Sequence, residues 1–510
     1  MPNLMSASEM LTVVVIFVLY LAMMIGIGFY FYKKNKNVSD YMLGGRQLNP
    51  WVAALSAQAS DMSGWLLLGL PGTAYLLFVG TSEAIWTAIG LALGTYLNWL
   101  IVARRLRKYT LTAGDSITLP DFFKNRFHDK GNVLKVISAI FVLIFFLFYT
   151  ASMFSAGAKL FTSVFGMSYT SALILGVVII VSYTFLGGFL AVCWTDVVQG
   201  VLMFCALIIA PIVAYFHMGG SEGMQAALSA VPDTFHFLPQ TAAGTLNVTL
   251  LVSSLAWGLG YFGQPHILPR FMAIRSDKEI RPARIIAMIW VLISLAAAIV
   301  VGVMGSLLFP SLADPEQVFI QMTISLFHPI ITGILLTAIL AAIMSTADSQ
   351  LLVTSSAVAN DIYKGVMKKD ASEKQVLWFS RITVIVVSII AALLVSVPDA
   401  AEGTFMYLIN QSVFKLVAFA WAGFGSAFGP IILFSLFWKR TTKEGALWGI
   451  ITGGVVSCLW WVMQGGIWDL YEIVPGFLCS ALVIIVVSLC TKLPPEVAEE
   501  FDRVKDAKLS

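Results

Sequence analysis

The stretch Ser56–Gly72, SAQASDMSGWLLLGLPG, places an aspartate among serines and a glycine immediately before a run of leucines. Its second half is apolar enough for a membrane helix, whereas Ser60, Asp61, Ser63 and Gly64 favour breaking one. An ionisable residue inside a membrane span is costly, and by default it marks an ion or solute path. The first question is therefore whether this stretch lies in a membrane.

Composition answers it. The 510-residue chain is 59% hydrophobic and 12% charged, with a mean hydropathy of +0.87, too little polar surface to cover a soluble fold. Its apolar runs are mostly 18 to 30 residues long, which suits helices and is too long for the strands of an outer-membrane barrel. Windows of about 19 residues predict thirteen spans: 10–32, 50–76, 84–104, 134–163, 170–187, 191–216, 247–270, 284–309, 330–363, 377–397, 405–437, 444–465 and 472–491.

Positive charge tests this count, because Lys and Arg collect in cytoplasmic loops. With the N-terminus outside, the inner connections carry Lys33, Lys34, Lys36 and Arg46, then stretches 104–135, 270–284, 364–381 and 439–443, and finally the tail from Lys492. Together they hold 29 of the 31 basic residues, and the long outer connections 217–246 and 310–329 hold none. Lys159 and Lys415 fall near predicted outer helix ends, where a long stem can snorkel. A multi-pass plasma-membrane protein with the N-terminus outside and the C-terminus in the cytoplasm is expected.

Several function classes recede. No basic residue precedes the first apolar run, so that run is expected to stay as a helix rather than act as a secretory signal. Cys193, Cys205, Cys458, Cys479 and Cys490 fall in apolar segments without a CxxC and are expected to be small core residues. The five histidines lack metal-binding spacing, and no cofactor is expected. A tail of residues 492–510 is too short for a catalytic domain, so no enzyme activity is expected. The net charge of +3 is an inner-surface feature that points to membrane lipids rather than nucleic acid.

Gly258, Gly260 and Gly263 in WGLGYFGQPH satisfy GxGxxG, but they lie inside a predicted span with no preceding strand. Three glycines followed by Gln264 and Pro265 instead loosen a membrane helix. This break in span 7 lies five helices after the break around Ala59–Gly64 in span 2. Paired interrupted segments are the sequence pointer to inverted repeats that meet at a midplane site. The expected architecture is all-α: a single transporter domain over 1–491, with repeats at about 50–216 and 247–437 and additional helices at 10–32, 444–465 and 472–491.

The strings SAQASDMSGWLLLGLPG, LGGRQLNPWVAALSA, GFLAVCWTDVVQ, WGLGYFGQPHILPRFMA, ILAAIMSTADSQLLV and FAWAGFGSAFGP together resemble the sodium/solute symporter family, and its proline-transporting bacterial branch most closely. The similarity runs from about Asp40 to the last span. It implies the LeuT-like fold, with a 5+5 inverted-repeat core, and sodium-coupled uptake of L-proline. Two alternatives stay open: the same machine with another small solute (pantothenate, a sugar, another carboxylate) or coupling cation, and a sensor-type membrane module.

Sodium is a hard cation that takes several oxygen ligands, as calcium and magnesium do. Ser345 and Thr346 offer adjacent hydroxyls in span 9, the carbonyl of Ala342 lies one turn earlier, and a break in span 2 frees the carbonyls of Ala59 and Met62. The resemblance implies a sodium site at these five positions; otherwise Ser345 and Thr346 bond back to their own helix. Asp61 attracts the ion, holds the break open, or caps a half-helix. By resemblance it is needed for sodium-dependent transport, and Asp196 lies on the sodium path or serves a structural hydrogen bond. Asp348 is a third candidate in a supporting role.

A proline solute presents a carboxylate, a secondary ammonium and an apolar ring, a mixture that an aromatic wall suits. Trp257 and Tyr261 are four apart, on one face of span 7, with Pro265 four further along. The resemblance adds Tyr149 of span 4, and Ser63 and Gly64 of the break. Arg46 and Glu316 sit in loops and look, by family, like modulators.

Overall fold

The computed structural model describes residues 5–32, 42–77, 79–184, 188–231, 236–241, 243–398, 404 and 412–506. Lys33, Lys34 and Lys36, with residues 185–187 and 405–411 of two predicted spans, lie outside the described residues. Among the described residues the chain is helical, and extended pairing is confined to isolated bridges.

Helix α1 spans Ala7–Tyr32. The opening stretch is split into α2 (Pro50–Asp61), a π-turn (Trp65–Gly69) and α3 (Leu70–Tyr75). Helix α4 (Val79–Leu97) continues through a π-turn (Asn98–Val102) into α5 (Ala103–Thr112), followed by α6 (Leu119–Arg126). Then come α7 (Val133–Phe165), α8 (Tyr169–Thr184), α9 (Phe189–His217) and α10 (Gly220–Ser229). The second broken segment consists of α11 (Val248–Ala256), a 3-10 turn (Trp257–Gly263) and α12 (Leu268–Ala273). It leads to α13 (Ile280–Leu308), α14 (Val318–Leu326) and α15 (Pro329–Ser356), which runs on as a π-helical stretch, Ala357–Met367. Last are α16 (Glu373–Leu394), α17 (Val413–Phe437), α18 (Lys443–Val462), α19 (Ile473–Cys490) and α20 (Pro495–Asp506).

Ten helices among the described residues are long and apolar enough to cross a membrane. The other three predicted spans, 50–76, 170–187 and 247–270, are met by the split pair α2 and α3, by the shorter α8, and by α11 with its 3-10 continuation. Burial sorts the layers. Of their spanning windows, α15 is 83% and α17 is 89% buried, against 22% for α1, so the first two run through the centre of the bundle and α1 lies at its rim. The first broken segment is buried nearly throughout, and so is the second from Ala256 to Ala273, whereas most of α11 before it is not.

Local chemistry starts these helices where the sequence allows. Asn49 caps α2, its side chain accepting from Val52 N at 3.0 Å, and Pro50 occupies a first-turn position where no N–H is needed. At the other end Met62 turns to ψ 72° and Ser63 N donates to Asp61 O at 2.9 Å, so the helix stops at Asp61. Leu48 N donates to Ala273 O (3.0 Å) and Arg275 N to Leu48 O (3.1 Å), which ties the chain entering the first broken segment to the chain leaving the second.

The predicted inner connections meet at one end of the bundle. There Arg46 and Asp115 pair at 3.0 Å, Arg107 and Asp277 at 2.7 Å, Lys135 and Asp361 at 3.1 Å, and Lys443 and Asp129 at 2.9 Å. Tail helix α20 packs on α5, with His128 and Glu500 at 3.2 Å and Lys439 paired to Asp502. Burial raises the Glu500 carboxyl above its ordinary value.

At the opposite end Lys159 does not snorkel: it pairs with Asp314 (2.8 Å) and Glu316 (2.6 Å), because two acidic partners lie within reach of its stem. The cysteines also depart from expectation. Cys193 is buried, whereas Cys205 and Cys490 are exposed, because their positions on α9 and at the end of α19 face away from the packed core.

Candidate functional site

The two breaks face each other in the buried centre, and Asp61 sits between them. The carboxylate Oδ2 accepts from Tyr261 Oη at 2.5 Å, and Oδ1 has no hydrogen-bond partner among the described residues. Its backbone carbonyl accepts from Tyr149 Oη at 3.3 Å and from Trp65 Nε1 at 3.2 Å. Asp61 ends α2 and lies just before the half-helix that starts at Trp65, but among the described residues its carboxylate accepts from Tyr261 and from no backbone N–H, so it caps neither half. A carboxylate at the carbonyl end adds to the negative end of the helix dipole, an arrangement that attracts a cation.

The oxygens predicted from span 9 come to this same end of α2. Ser345 Oγ lies 2.7 Å from Ala59 O and 3.1 Å from Ala342 O, either of which can take its single proton, and Thr346 Oγ1 lies 3.4 Å from Ala59 O. The Ser345 hydroxyl thus lies within reach both of its own helix and of the break. Met62, whose N–H still bonds to Gln58 O at 2.7 Å, turns out of the helix one residue beyond Asp61. All five residues are fully buried. Asp348 is buried on α15 three residues past Ser345.

Asp196, from α9, is not isolated. Its Oδ2 accepts from Ser56 Oγ (2.6 Å), Ser60 Oγ (3.0 Å) and Arg270 Nη2 (3.3 Å). Arg270 is a correction to the sequence reading, which counted it among the inner-loop charges. It lies on α12, only 1% exposed, and also donates to Ser56 Oγ (3.1 Å), Ser60 Oγ (2.8 Å), Ser349 Oγ (2.7 Å) and His266 O (2.5 Å). Its charge is held inside because Asp196 and five-donor geometry satisfy it there. An arginine flanked by ILP and FMA, apolar on both sides, was the signal for this; Ser56, Ser60 and Ser349 carried none.

The predicted solute residues divide. Tyr149 and Tyr261 meet at Asp61, and Trp257 and Tyr261 both pack on Trp421, at 6.5 and 4.9 Å between ring centroids. The segment is a 3-10 turn with about three residues per turn rather than an α-helix. Trp257 stacks on Phe414 (4.9 Å) and packs by Tyr471 (5.4 Å), lining a cavity with Glu83, Lys415 and Trp460 toward the end opposite the basic loops. Pro265 lines a second, enclosed cavity with Met42, Thr118, Phe189 and Asp361 toward the basic end.

Glycine geometry explains the second break. A Cβ on Gly258 would lie 2.3 Å from Gly90 O, one on Gly260 1.9 Å from Trp421 Nε1, and one on Gly263 2.3 Å from Phe424 O. These three positions are glycine because α4 and α17 close on the turn. In the first break Gly64 packs against Ala156 and Ile343, where a Cβ would lie 3.2 and 3.3 Å from its neighbours, with Ser63 beside it in the non-helical link.

The loop candidates act as staples. Arg46, at φ 56°, donates to Thr110 Oγ1 (3.2 Å), Met272 O (2.8 Å) and Ser116 O (2.9 Å), joining three segments at the basic end. Glu316 accepts from Val413 N (3.1 Å) and Phe414 N (3.0 Å), capping α17 at the other end.

Residues 41–453 match the model of the sodium:solute symporter family. The high-affinity proline transporter PutP of Bacillus subtilis (strain 168) is 48% identical over 93% of this chain and 97% of its own, and a sodium/proline symporter of Escherichia coli (strain K12) is 47% identical over 94% and 93%. In fold the chain is similar to a Na+-coupled sialic acid symporter solved in a substrate-bound outward-open state, with a TM-score of 0.76 at 20% identity over 94% of this chain and 98% of that one. The nucleobase-cation-symport transporter Mhp1 in a closed conformation is more distant, with a TM-score of 0.54 at 13% identity over 92% and 99%. A family match over most of the length, with near-full-length relatives almost half identical, assigns the chain: it belongs to the sodium:solute symporter family.

Proposed function

We propose that this chain couples inward sodium movement to uptake of L-proline by alternating access. The observation that carries the proposal is the meeting of Ala59 O, Ala342 O, Ser345 Oγ and Thr346 Oγ1 at the carbonyl end of α2, beside Asp61. Half-helix C-terminal ends and unwound carbonyls are the means by which broken-helix transporters hold a coupling cation. Met62 completes the ligand set in this reading, and Asp61, Asp196 and Asp348 form the ion path. The solute lies across the breaks against Tyr149 and Tyr261, with its carboxylate toward the backbone of Ser63 and Gly64. Trp257 and Pro265 mark its approach and its departure. The near-full-length likeness to sodium/proline symporters supports this choice of ion and solute.

Energetics permit one sodium per solute. Moving one charge through about 100 mV supplies about 2.3 kcal/mol, enough for a roughly 40-fold gradient at about 1.4 kcal/mol per tenfold. The two halves of the core, 50–216 and 247–437, rock as inverted repeats about the fixed site. The basic end faces the cytoplasm.

Purified protein in liposomes tests the proposal. Labelled proline is expected to accumulate only under an inward sodium gradient. Equal uptake under potassium with a proton gradient overturns the choice of ion, and uptake of pantothenate without proline overturns the choice of solute.

A further inference from the structure

His266 is fully buried, and neither of its ring nitrogens has a hydrogen-bond partner among the described residues. A neutral imidazole carries one N–H donor and one acceptor, and leaving both unmet in a protein interior is costly. The backbone at this residue is firmly held. Ile267 N and Leu268 N both donate to Gln264 O, at 3.2 and 3.1 Å, and Arg270 Nη1 donates to His266 O at 2.5 Å. The ring is fixed too, edge to face between Phe146 (5.5 Å) and Tyr149 (5.9 Å).

Tyr149 is the residue whose hydroxyl lies 3.3 Å from Asp61 O, so the imidazole stands one ring away from the meeting point of the two breaks. Two other acceptors, one on each break, are also without partners among the described residues: Asp61 Oδ1 and Gln264 Oε1, both fully buried. Gln264 cannot turn its amide to remove the deficit, because its Nε2 already donates to Gly260 O (3.1 Å) and Trp421 O (3.2 Å). Three unmet acceptors among tyrosines are the complement of a ligand that brings N–H donors on a compact apolar body.

We propose that His266 is a solute-positioning residue whose unprotonated ring nitrogen accepts one N–H of the solute's secondary ammonium, the other N–H going to Asp61 or Gln264. The assignment rests on the proline reading above. It explains why the ring is clamped by two aromatics and held from behind by Arg270. It also makes the second N–H a specificity determinant: N-methylproline, with one N–H, leaves an acceptor unmet.

The test measures binding of labelled proline to the purified full chain in sodium. His266→Phe is expected to weaken proline binding by about tenfold, the loss of roughly one charged hydrogen bond, and to narrow the preference for proline over N-methylproline. Half-saturating sodium should stay unchanged. His266→Gln, which keeps an acceptor, should restore most of the affinity. Unaltered proline binding in His266→Phe, or an equal loss of sodium and proline affinity, overturns the proposal. Should His266→Phe fail to fold, the native protein decides: with 15N-labelled histidine, ring-nitrogen resonances identified through His266→Gln must shift on adding proline, and unmoved resonances overturn the role. No proline binding by the native chain overturns the functional reading and this with it; native binding with an unaffected variant overturns the His266 role alone.

Discussion

Asp61 ends a helix at its negative pole, within a cluster of carbonyl and hydroxyl oxygens, and gives only one carboxylate oxygen to the protein, through Tyr261. A full charge there should outweigh any one neutral ligand of the cation. Asp61→Cys is accordingly expected to raise the half-activating sodium concentration by about tenfold or more, and by more than Ser345→Ala does, in initial uptake rates measured against sodium. An unchanged sodium dependence would leave Asp61 as an acceptor for Tyr261 alone. Arg270 poses the converse problem, a cation held by Asp196 and three serines. Arg270→Gln leaves a buried carboxylate uncompensated and is expected to cost about 3–5 kcal/mol of stability. In detergent unfolding, Arg270→Gln combined with Asp196→Asn should be destabilised by less than the sum of the two single variants.

Among the elements, the two breaks arise by different means. The first follows from local chemistry, a helix stopped after Asp61 by the turn of Met62. The second is imposed by packing: α4 and α17 press on Gly258, Gly260 and Gly263, and Trp421 Nε1 donates to Trp257 O at 2.8 Å. Gly260→Ala would put a methyl into that indole, so a loss of about 1–3 kcal/mol is expected, together with loss of the Trp421 bond. Gly157 in α7 is the contrasting case, with open space where its Cβ would stand. Gly157→Ala is expected to stabilise by about 0.5–1 kcal/mol, through lower unfolded-state entropy. Thermal unfolding in detergent checks both, and a destabilised Gly157→Ala would refute the packing distinction.

Across the whole molecule, the connections rich in Lys and Arg gather at one end, where they are tied to acidic partners and to tail helix α20. An odd number of crossings puts the two termini on opposite sides. In a cysteine-free background, a membrane-impermeant maleimide is expected to label Ser8→Cys only from outside and Arg503→Cys only from inside; both native residues are exposed. Labelling of both from one side would contradict the odd count.

The sequence by itself was sufficient for the membrane setting, the all-helical class, the grouping of basic loops and the two breaks; the nearness of Ala59 to Ser345 and Thr346 was implied only by the family resemblance. Each of the first four is written in local composition or spacing: apolar length, helix-length periodicity, loop charge, and Gly and Pro in a span. Tertiary structure alone decided the rest. It drew Arg270 out of the loops and onto Asp196, wound the segment from Trp257 to Gly263 as a 3-10 turn, gave Lys159 its acidic partners, and left the His266 ring buried without a hydrogen-bond partner among the described residues. These outcomes depend on which side chains from distant segments come within about 3 Å of one another, and a single sequence carries no record of that distance.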